Sequence, residues 1–351
     1  MNGTGMLIEK LAREGNLTDG ELEMLIRERT PESAAALAAA ARAVREKIYG
    51  RAVYIRGLIE FTNICKNDCL YCGIRRSNRR ASRYRLSEEE ILGCCETGYP
   101  LGFRTFVLQG GEDPYFTDER LSAVVRSIKR RFPDCAVTLS CGERGRESYR
   151  RLFEAGADRY LLRHETAAPE HYRKLHPPAM EFERRMQCLR DLKDIGYQTG
   201  CGFMVGSPFQ TVEDIVRDLR FIRSFRPHMV GIGPYLSHPD TPFCSQPDGT
   251  AELTLFLLSV IRLLLPGVLL PATTALGTVM AGGREEGILR GANVVMPNLS
   301  PPSVRGKYLL YHDKLSSGAE AAENLRELSR SIEGTGYTVT AGRGDSLLAD
   351  G

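Results

Sequence analysis

Three cysteines lie close together in one short stretch of the sequence. Cys65, Cys69 and Cys72 have the spacing C-x3-C-x2-C, directly after an apolar run that is typical of a strand. Three neighbouring thiolates can hold three corners of a four-iron cluster, whereas a structural zinc site needs a fourth nitrogen or sulfur ligand. No histidine lies in this loop. The spacing therefore predicts an iron–sulfur cluster with one iron open to a small molecule, and a zinc knuckle or three buried thiols is the alternative.

A glycine pair followed by a carboxylate comes after the next β-rich run. Gly110 and Gly111 allow the backbone to approach a ligand closely, and Glu112 can accept hydrogen bonds from an ammonium group. The same three residues also occur in ordinary turns. We expect a ligand with an amino group beside this turn.

Charged residues alternate along another β-rich run. Period-2 alternation places Arg159, Arg163 and Glu165 on one face, opposite Tyr160 and Leu162. Charges that point into a protein interior need partners, because an unpaired buried charge costs several kcal/mol. This face predicts either an anionic or zwitterionic ligand or an internal layer of ion pairs.

The composition is that of an ordinary soluble globular protein. The 351 residues are 42% hydrophobic and 26% charged, and the net charge of +3 is too small for a nucleic-acid footprint. The most apolar stretch, residues 253–270, is interrupted by Arg262 and Pro266, so no membrane span is expected. The charged N-terminus does not resemble a signal peptide, which predicts a cytoplasmic protein with ten mostly reduced cysteines.

The elements that must position these residues form a repeating pattern. Residues 1–50 predict a helical extension, with capping signals at Thr18 and Thr30. Eight pairs of a strand and a helical segment then follow within residues 51–300. This α/β pattern predicts a complete (βα)8 TIM barrel, whose chemistry lies at the carboxyl ends of the strands. Residues 301–351 form a tail that we expect to close the barrel, with a mobile Gly-rich end. The predicted strands are 52–61, 105–109, 136–140, 159–163, 198–205, 229–233, 268–271 and 293–296.

The cysteine loop, with Tyr71 just before its third cysteine, resembles the cluster signature of the radical S-adenosylmethionine (SAM) superfamily. The resemblance implies a [4Fe-4S] cluster on Cys65, Cys69 and Cys72, with SAM on the fourth iron. One-electron reduction would then cleave SAM to methionine and a 5′-deoxyadenosyl radical.

A longer resemblance covers residues 51–311 and points to the HydE family of [FeFe]-hydrogenase maturases. It rests on the stretches EFTNICKNDCLYCGIRR, GADRYLLRHETA, GYQTGCGFMVGSP, MVGIGPYLSHPDTP and LPATTALGT, among others. It implies SAM contacts from Tyr71, Gln109, Gly110, Gly111, Glu112, Glu165 and Arg184. It also implies an inner cavity lined by Thr138, Arg159, Arg163, Met229, Thr273, Thr274, Tyr308 and Tyr311. No residue is assigned as an acid or base, because the radical comes from SAM.

The family resemblance also implies a substrate and partners. The radical would act on a cysteine-bound iron carbonyl/cyanide precursor inside the barrel during assembly of the H-cluster. The implied partners are a flavodoxin or ferredoxin electron donor and the other maturases, HydG and HydF. Because no cysteine follows Cys244, we predict no second cluster.

Three alternatives stay open at this stage. Methylornithine synthase and biotin synthase share the barrel and the cysteine loop. Biotin synthase holds a second cluster on strand cysteines, but Cys135 and Cys201 fall one residue away from its positions, which turns a strand side chain to the opposite face. A non-catalytic iron–sulfur protein for electron transfer or scaffolding would need no SAM pocket, so the strand-end residues argue against it.

Overall fold

The computed structural model describes residues 3–315 and 321–348. Three helices precede the first strand: α1 (Gly3–Glu14), α2 (Asp19–Arg27) and α3 (Pro31–Tyr49). The predicted caps are confirmed, since the hydroxyls of Thr18 and Thr30 accept hydrogen bonds from the backbone N–H groups of Glu21 and Ser33. These bonds satisfy N–H groups that a helix start otherwise leaves unpaired.

Parallel strands alternate with helices through the rest of the chain. The strands are β1 (Ala52–Ile55), β2 (Gly57–Thr62), β3 (Thr105–Gly110), β4 (Ala136–Ser140), β5 (Arg159–Leu161), β6 (Gln198–Cys201), β7 (Met204–Val205), β8 (Met229–Val230), β9 (Gly233–Pro234), β10 (Val294–Val295) and β11 (Thr338–Thr340). The helices after the extension are α4 (Glu88–Gly98), α5 (Asp118–Arg131), α6 (Arg146–Glu154), α7 (Pro169–Leu175), α8 (Phe182–Ile195), α9 (Val212–Phe225), α10 (Ala251–Leu264), α11 (Thr274–Val279), α12 (Gly283–Leu289), α13 (Pro302–Arg305) and α14 (Leu325–Gly334).

The strands form the α/β fold that the sequence predicts. One six-stranded parallel sheet has the order β2-β3-β4-β5-β6-β8. Single parallel bridges continue from this sheet through the last two predicted strands and back to β2: Met229 with Leu269, Pro271 with Val294, and Leu58 with Asn298. This ring of pairings is consistent with a complete barrel.

Three predicted strands are each split in two, and buried residues explain two of the breaks. The first is split at Arg56, whose side chain donates to Sδ of Met229 and to the Gly344 carbonyl. The fifth is split at Gly202, where a Cβ would collide with the carbonyl of Gly231. A side chain on Gly202 would therefore push two neighbouring strands apart.

The apolar run at residues 253–270 belongs mostly to α10. Eleven of the fourteen residues of this helix are buried, because it packs against α3 on one side and the barrel on the other. Arg262 is satisfied inside this layer by the carbonyls of Gly291, Pro266 and Val268. Among the described residues, none of the helices has both the length and the apolar character that a membrane crossing needs.

The tail returns to the amino end of the barrel. Strand β11, which the sequence pattern does not predict, pairs in parallel with β1, and Gly342 bridges to Phe103. Beyond it, Asp345 forms ion pairs with Arg159 and Arg343. Of the Gly-rich end expected to be mobile, residues 349–351 lie outside the described residues, whereas 342–348 are held by these contacts.

Candidate active site

The cysteine loop follows β2 and is fixed to three other parts of the chain. The backbone N–H of Lys66 donates to the carbonyl of Glu112, that of Leu70 to Leu175, and that of Gly73 to Leu310, at 2.8–3.1 Å. The three cysteines are half-buried. The loop is therefore anchored to the turn after β3, to the end of α7 and to the part of the tail around Leu310.

Burial makes thiolates unfavourable in this loop without a counter-charge. Burial raises the pKa of Cys69 well above its usual range and that of Cys72 to about 12, and the neighbouring thiols add to both effects. The carboxylates of Glu112 and Glu165 act in the same direction on Cys65 and Cys69 respectively. Three neighbouring thiols beside two carboxylates fit a cationic inorganic centre, which would stabilise the thiolate forms.

The thiols do not form a tight set around one ion. Within residues 3–315 and 321–348, no group of three His, Cys, Asp or Glu side chains is arranged to hold a single metal ion.

The Gly-Gly-Glu turn packs directly against the cysteine loop. A Cβ on Gly111 would lie 2.8 Å from Cβ of Cys65 and would also collide with the carbonyl of Ile64. The carboxylate of Glu112 accepts a hydrogen bond from the N–H of Glu143 and lies 3.2 Å from Nζ of Lys66. The turn thus places a carboxylate beside the first cysteine.

Tyr71 is held by His176, which lies at the carboxyl end of α7. Nδ1 of His176 donates to the carbonyl of Tyr172 at 2.9 Å, which leaves Nε2 to accept a hydrogen bond from the Tyr71 hydroxyl at 3.1 Å. Burial lowers the pKa of His176 to about 3, so the imidazole stays neutral. Sequence reasoning missed His176, which has no motif of its own but fixes the tyrosine between two cysteines.

Glu165 has a backbone conformation that is uncommon for a residue with a side chain. Its φ is 66°, and its N–H donates to the carbonyl of Gly202 at 3.0 Å. Oε2 lies 3.2 Å from Nη2 of Arg163, but neither atom has a hydrogen bond of good geometry. Such strain is typical of residues whose position matters for function.

The structure places Arg184 at the edge of this site, beside the loop whose Glu143 N–H bonds Glu112. Arg184 is exposed on α8, and its guanidinium donates to the carbonyl of Arg144. The next residue, Arg185, is buried instead, where it forms an ion pair with Glu143 and donates to the carbonyl of Arg163. One residue along a helix is a rotation of about 100°, so Arg185 faces the interior while Arg184 faces the solvent side of the same site.

The predicted cavity residues form two groups. Arg163, Thr273, Thr274, Tyr308 and Tyr311 lie towards the carboxyl ends of the strands. Tyr308 contacts Gln109 at 3.5 Å, and the buried Thr273 hydroxyl has no hydrogen-bond partner among the residues that the structure describes. The second group, Thr138, Arg159 and Met229, lines a small internal space together with Arg56.

Arg159 has its partners within the chain. Its guanidinium donates to Oγ1 of Thr105, to the carbonyl of Arg343 and to Asp345. Arg159 therefore belongs to the internal ion-pair layer that the sequence left open as an alternative.

A tail segment, residues 307–314, lies across the carboxyl end of the barrel. The amide of Asn63 donates to the carbonyl of Lys307, and the N–H of His312 donates to Ser237. Nζ of Lys314 lies 2.7 Å from Oε1 of Glu60, and both side chains are almost fully buried. This pair, which motif analysis missed, joins the tail segment to the inside of β2.

Comparison with known proteins agrees with this arrangement. The radical SAM superfamily profile matches residues 59–222. The chain is 49% identical to the [FeFe] hydrogenase maturase subunit HydE of Thermotoga maritima, over 78% of this chain and 77% of that protein. The chain belongs to the radical SAM superfamily. Members of this superfamily use a [4Fe-4S] cluster and SAM, which confirms the predicted cofactors.

Other radical SAM proteins share the whole architecture. The chain is 31% identical to 3-methylornithine synthase of Methanosarcina barkeri, over 84% of this chain and 83% of that one. A solved structure of methylornithine synthase superposes with a TM-score of 0.80 at 28% identity, covering 95% of this chain and 97% of the other. The maturase HydG of Carboxydothermus hydrogenoformans has a TM-score of 0.79 at 23% identity, covering 96% and 79%, which shows a shared fold.

Proposed function

We propose that this radical SAM enzyme acts in the assembly of the [FeFe]-hydrogenase H-cluster. The observation that carries the proposal is the 49% identity with HydE over most of both chains. The proposed substrate is a cysteine-bound iron carbonyl/cyanide precursor. HydG and HydF are the proposed partner maturases, and a flavodoxin or ferredoxin is the proposed donor.

The cysteine loop and its neighbours would hold the cofactors. Cys65, Cys69 and Cys72 would bind three irons, and the carboxylate of Glu112 would accept hydrogen bonds from the amino group of SAM. Arg185, which already pairs with Glu143, would also donate a hydrogen bond to the carboxylate of SAM. When bound, the cluster supplies the electron that cleaves SAM to methionine and a 5′-deoxyadenosyl radical.

The cavity residues at the carboxyl ends of the strands would bind the substrate. Arg163 offers a guanidinium to an anionic group, and the unpartnered hydroxyl of Thr273 offers a further hydrogen bond. The buried Tyr308 and the segment at residues 307–314 would keep water away from the radical, because this segment covers the barrel mouth.

One experiment tests the radical chemistry. The cluster is reconstituted anaerobically, and SAM and dithionite are added while 5′-deoxyadenosine is measured. We expect product from the wild type and from Cys244→Ser, because Cys244 is exposed and far along the chain from the loop. We expect none from Cys69→Ala. A wild type that holds four irons yet makes no product would contradict the proposal.

A second experiment tests the substrate. The protein is added to a hydrogenase maturation mixture that lacks HydE, and hydrogen evolution is measured. Recovery of activity supports the proposal. Methylornithine synthase is the second candidate, because its solved structure matches nearly the whole of both chains. Consumption of lysine without recovery of hydrogenase activity would favour that candidate.

A further inference from the structure

The positive charge of the chain is concentrated beside the cysteine loop. Residues 65–85 contain seven Lys or Arg and one Asp, an excess of six positive charges, whereas the whole chain has a net charge of +3. The other 330 residues therefore carry a net charge of −3. The basic character of this protein is a local property of the segment that holds the predicted cluster.

This segment is folded rigidly onto the cysteine loop. The guanidinium of Arg83 donates to four carbonyls, those of Asn63, Ile74, Arg75 and Asn78. Asp68, which lies between two of the cysteines, accepts hydrogen bonds from Arg75 and Ser77. The N–H of Arg76 donates to the carbonyl of Asn67 at 2.8 Å.

Three arginines of this segment face outward. Arg76, Arg79 and Arg80 are exposed, and together we call them the basic rim. The side chain of Arg80 is 83% exposed, so its contact with Asp240 at 2.8 Å offsets little of its charge. The rim therefore presents guanidiniums to solvent on a backbone that is already ordered, which reduces the entropy lost on binding.

We propose that the basic rim is the docking surface for a small acidic protein that carries one electron. This inference rests on the proposed function, since reductive cleavage of SAM needs one electron for each turnover. The donor's flavin or iron–sulfur centre loses that electron, and the centre held by the three cysteines gains it. Because the backbone of Arg76 is hydrogen-bonded to Asn67 in the cysteine loop, docking at the rim brings the donor close to the acceptor.

Charge and chemistry favour an acidic protein over a nucleic acid. Strong binding to a phosphate backbone usually uses about 6–10 contacts, and single-strand binding adds exposed aromatic side chains for stacking. The rim has three arginines, and the two tyrosines of residues 65–85, Tyr71 and Tyr84, are half-buried with their hydroxyls bonded to His176 and to the Glu60 carbonyl. An acidic protein surface needs only a few complementary charges to be steered to a site.

Charge reversal tests the rim. The variant R76E/R79E/R80E is compared with R126E/R130E/R330E, which changes the net charge equally at exposed arginines of α5 and α14. The probe is a purified flavodoxin, and its affinity is measured by calorimetry at about 50 and 300 mM salt. We expect at least tenfold weaker binding for the rim variant only, and a similar loss for the wild type at the higher salt.

Turnover gives a second readout. SAM cleavage driven by reduced flavodoxin should fall at least tenfold in the rim variant, while cleavage driven by dithionite stays within about twofold of the wild type. Equal flavodoxin binding by the two variants would overturn the proposal, as would tighter binding of a single-stranded RNA than of flavodoxin. Failure of dithionite with the wild type would instead contradict the proposed function, and the binding comparison would still decide the docking site.

Discussion

His164 and Asp218 lie against each other with no exposure to solvent, and 3.3 Å separates Nε2 from Oδ1. The N–H of Gly202 donates to Nδ1 of His164, so the ring proton is on Nε2 and faces the carboxyl group. The same Oδ1 accepts a hydrogen bond from the N–H of Ala167. Asp218 therefore bonds Ala167 and contacts His164, two residues after and one before Glu165, whose φ is 66°.

Removing the carboxyl group of Asp218 should disorder Glu165. We expect Asp218→Ala to lose about 1–3 kcal/mol of stability, the usual effect of unpairing buried groups, and to bind SAM about tenfold more weakly. Burial raises the pKa of Asp218 well above its usual range, so the neutral Asp218→Asn should stay within about threefold of the wild type. SAM affinity and melting temperature are measured together. The control is Cys201→Ala, at a buried position close to Asp218 of α9. This variant should lose stability without losing SAM affinity.

Two adjacent arginines on α8 should differ sharply in their effects. Arg185→Ala removes a buried guanidinium and leaves Glu143 without its partner, so SAM affinity should fall by at least tenfold. Arg184→Ala removes an exposed side chain and should change SAM affinity by less than about twofold. Equilibrium binding of SAM to the reconstituted protein checks both variants. A larger loss at Arg184 would show that the register of this helix is different.

A methyl group at Gly111 should displace the cysteine loop. The added Cβ would collide with Ile64 and Cys65, so we expect Gly111→Ala to retain less than about half of the wild-type iron after reconstitution. At Gly145 a Cβ meets no atom within 4 Å, so Gly145→Ala is the matched control and should load iron normally. Iron content and the visible absorption of the cluster are measured. Normal loading of Gly111→Ala would mean that the loop can move without loss of its ligands.

The tail should make stability depend on acid pH. Burial alone would raise the pKa of Asp345, but the guanidiniums of Arg343 and Arg159 hold it well below its usual range. A carboxylate with a lowered pKa stabilises the folded state above its unfolded value of about 4, and this contribution is lost as the pH falls further. Because the Asp345 side chain is 39% exposed and partly screened by solvent, Asp345→Asn should lose about 1–2 kcal/mol at pH 7, and this loss should shrink steadily as the pH falls below about 4.

Denaturant unfolding across this pH range checks the Asp345 prediction. Asp194→Asn, which removes an exposed carboxylate, should follow the wild type at every pH. If the difference in unfolding free energy between Asp345→Asn and the wild type does not shrink in acid, the loss of stability does not come from ionisation of Asp345.

Local patterns in the sequence were enough to predict the barrel and the cysteine loop. Strand alternation and helix caps depend on neighbouring residues, and the caps at Thr18 and Thr30 are confirmed. The burial of Arg185 also had a local signal, because it lies three and four residues before the buried Cys188 and Leu189 on α8. Helical periodicity alone therefore indicates that Arg185 points inward and Arg184 outward.

Contacts between distant parts of the chain could not be predicted in this way. Glu60 and Lys314 are 254 residues apart, and nothing in either neighbourhood indicates the other. Arg159 has its carboxylate partner 186 residues further along, in a tail that has no motif. Its charge alone was compatible with a ligand or with an ion pair, and only the tertiary structure distinguishes them.

The pairing of β1 with β11 sets an order of events during synthesis. Strand β1 is among the first parts of the barrel to leave the ribosome, yet its partners are residues 294–295 and 338–340. Until those residues emerge, both edges of β1 stay open to incorrect pairing, and chain closure over such separations is slow. We therefore expect β1 to lack its partners for most of translation, and a stop codon shortly before residue 338 would leave the edge that β11 covers unpaired.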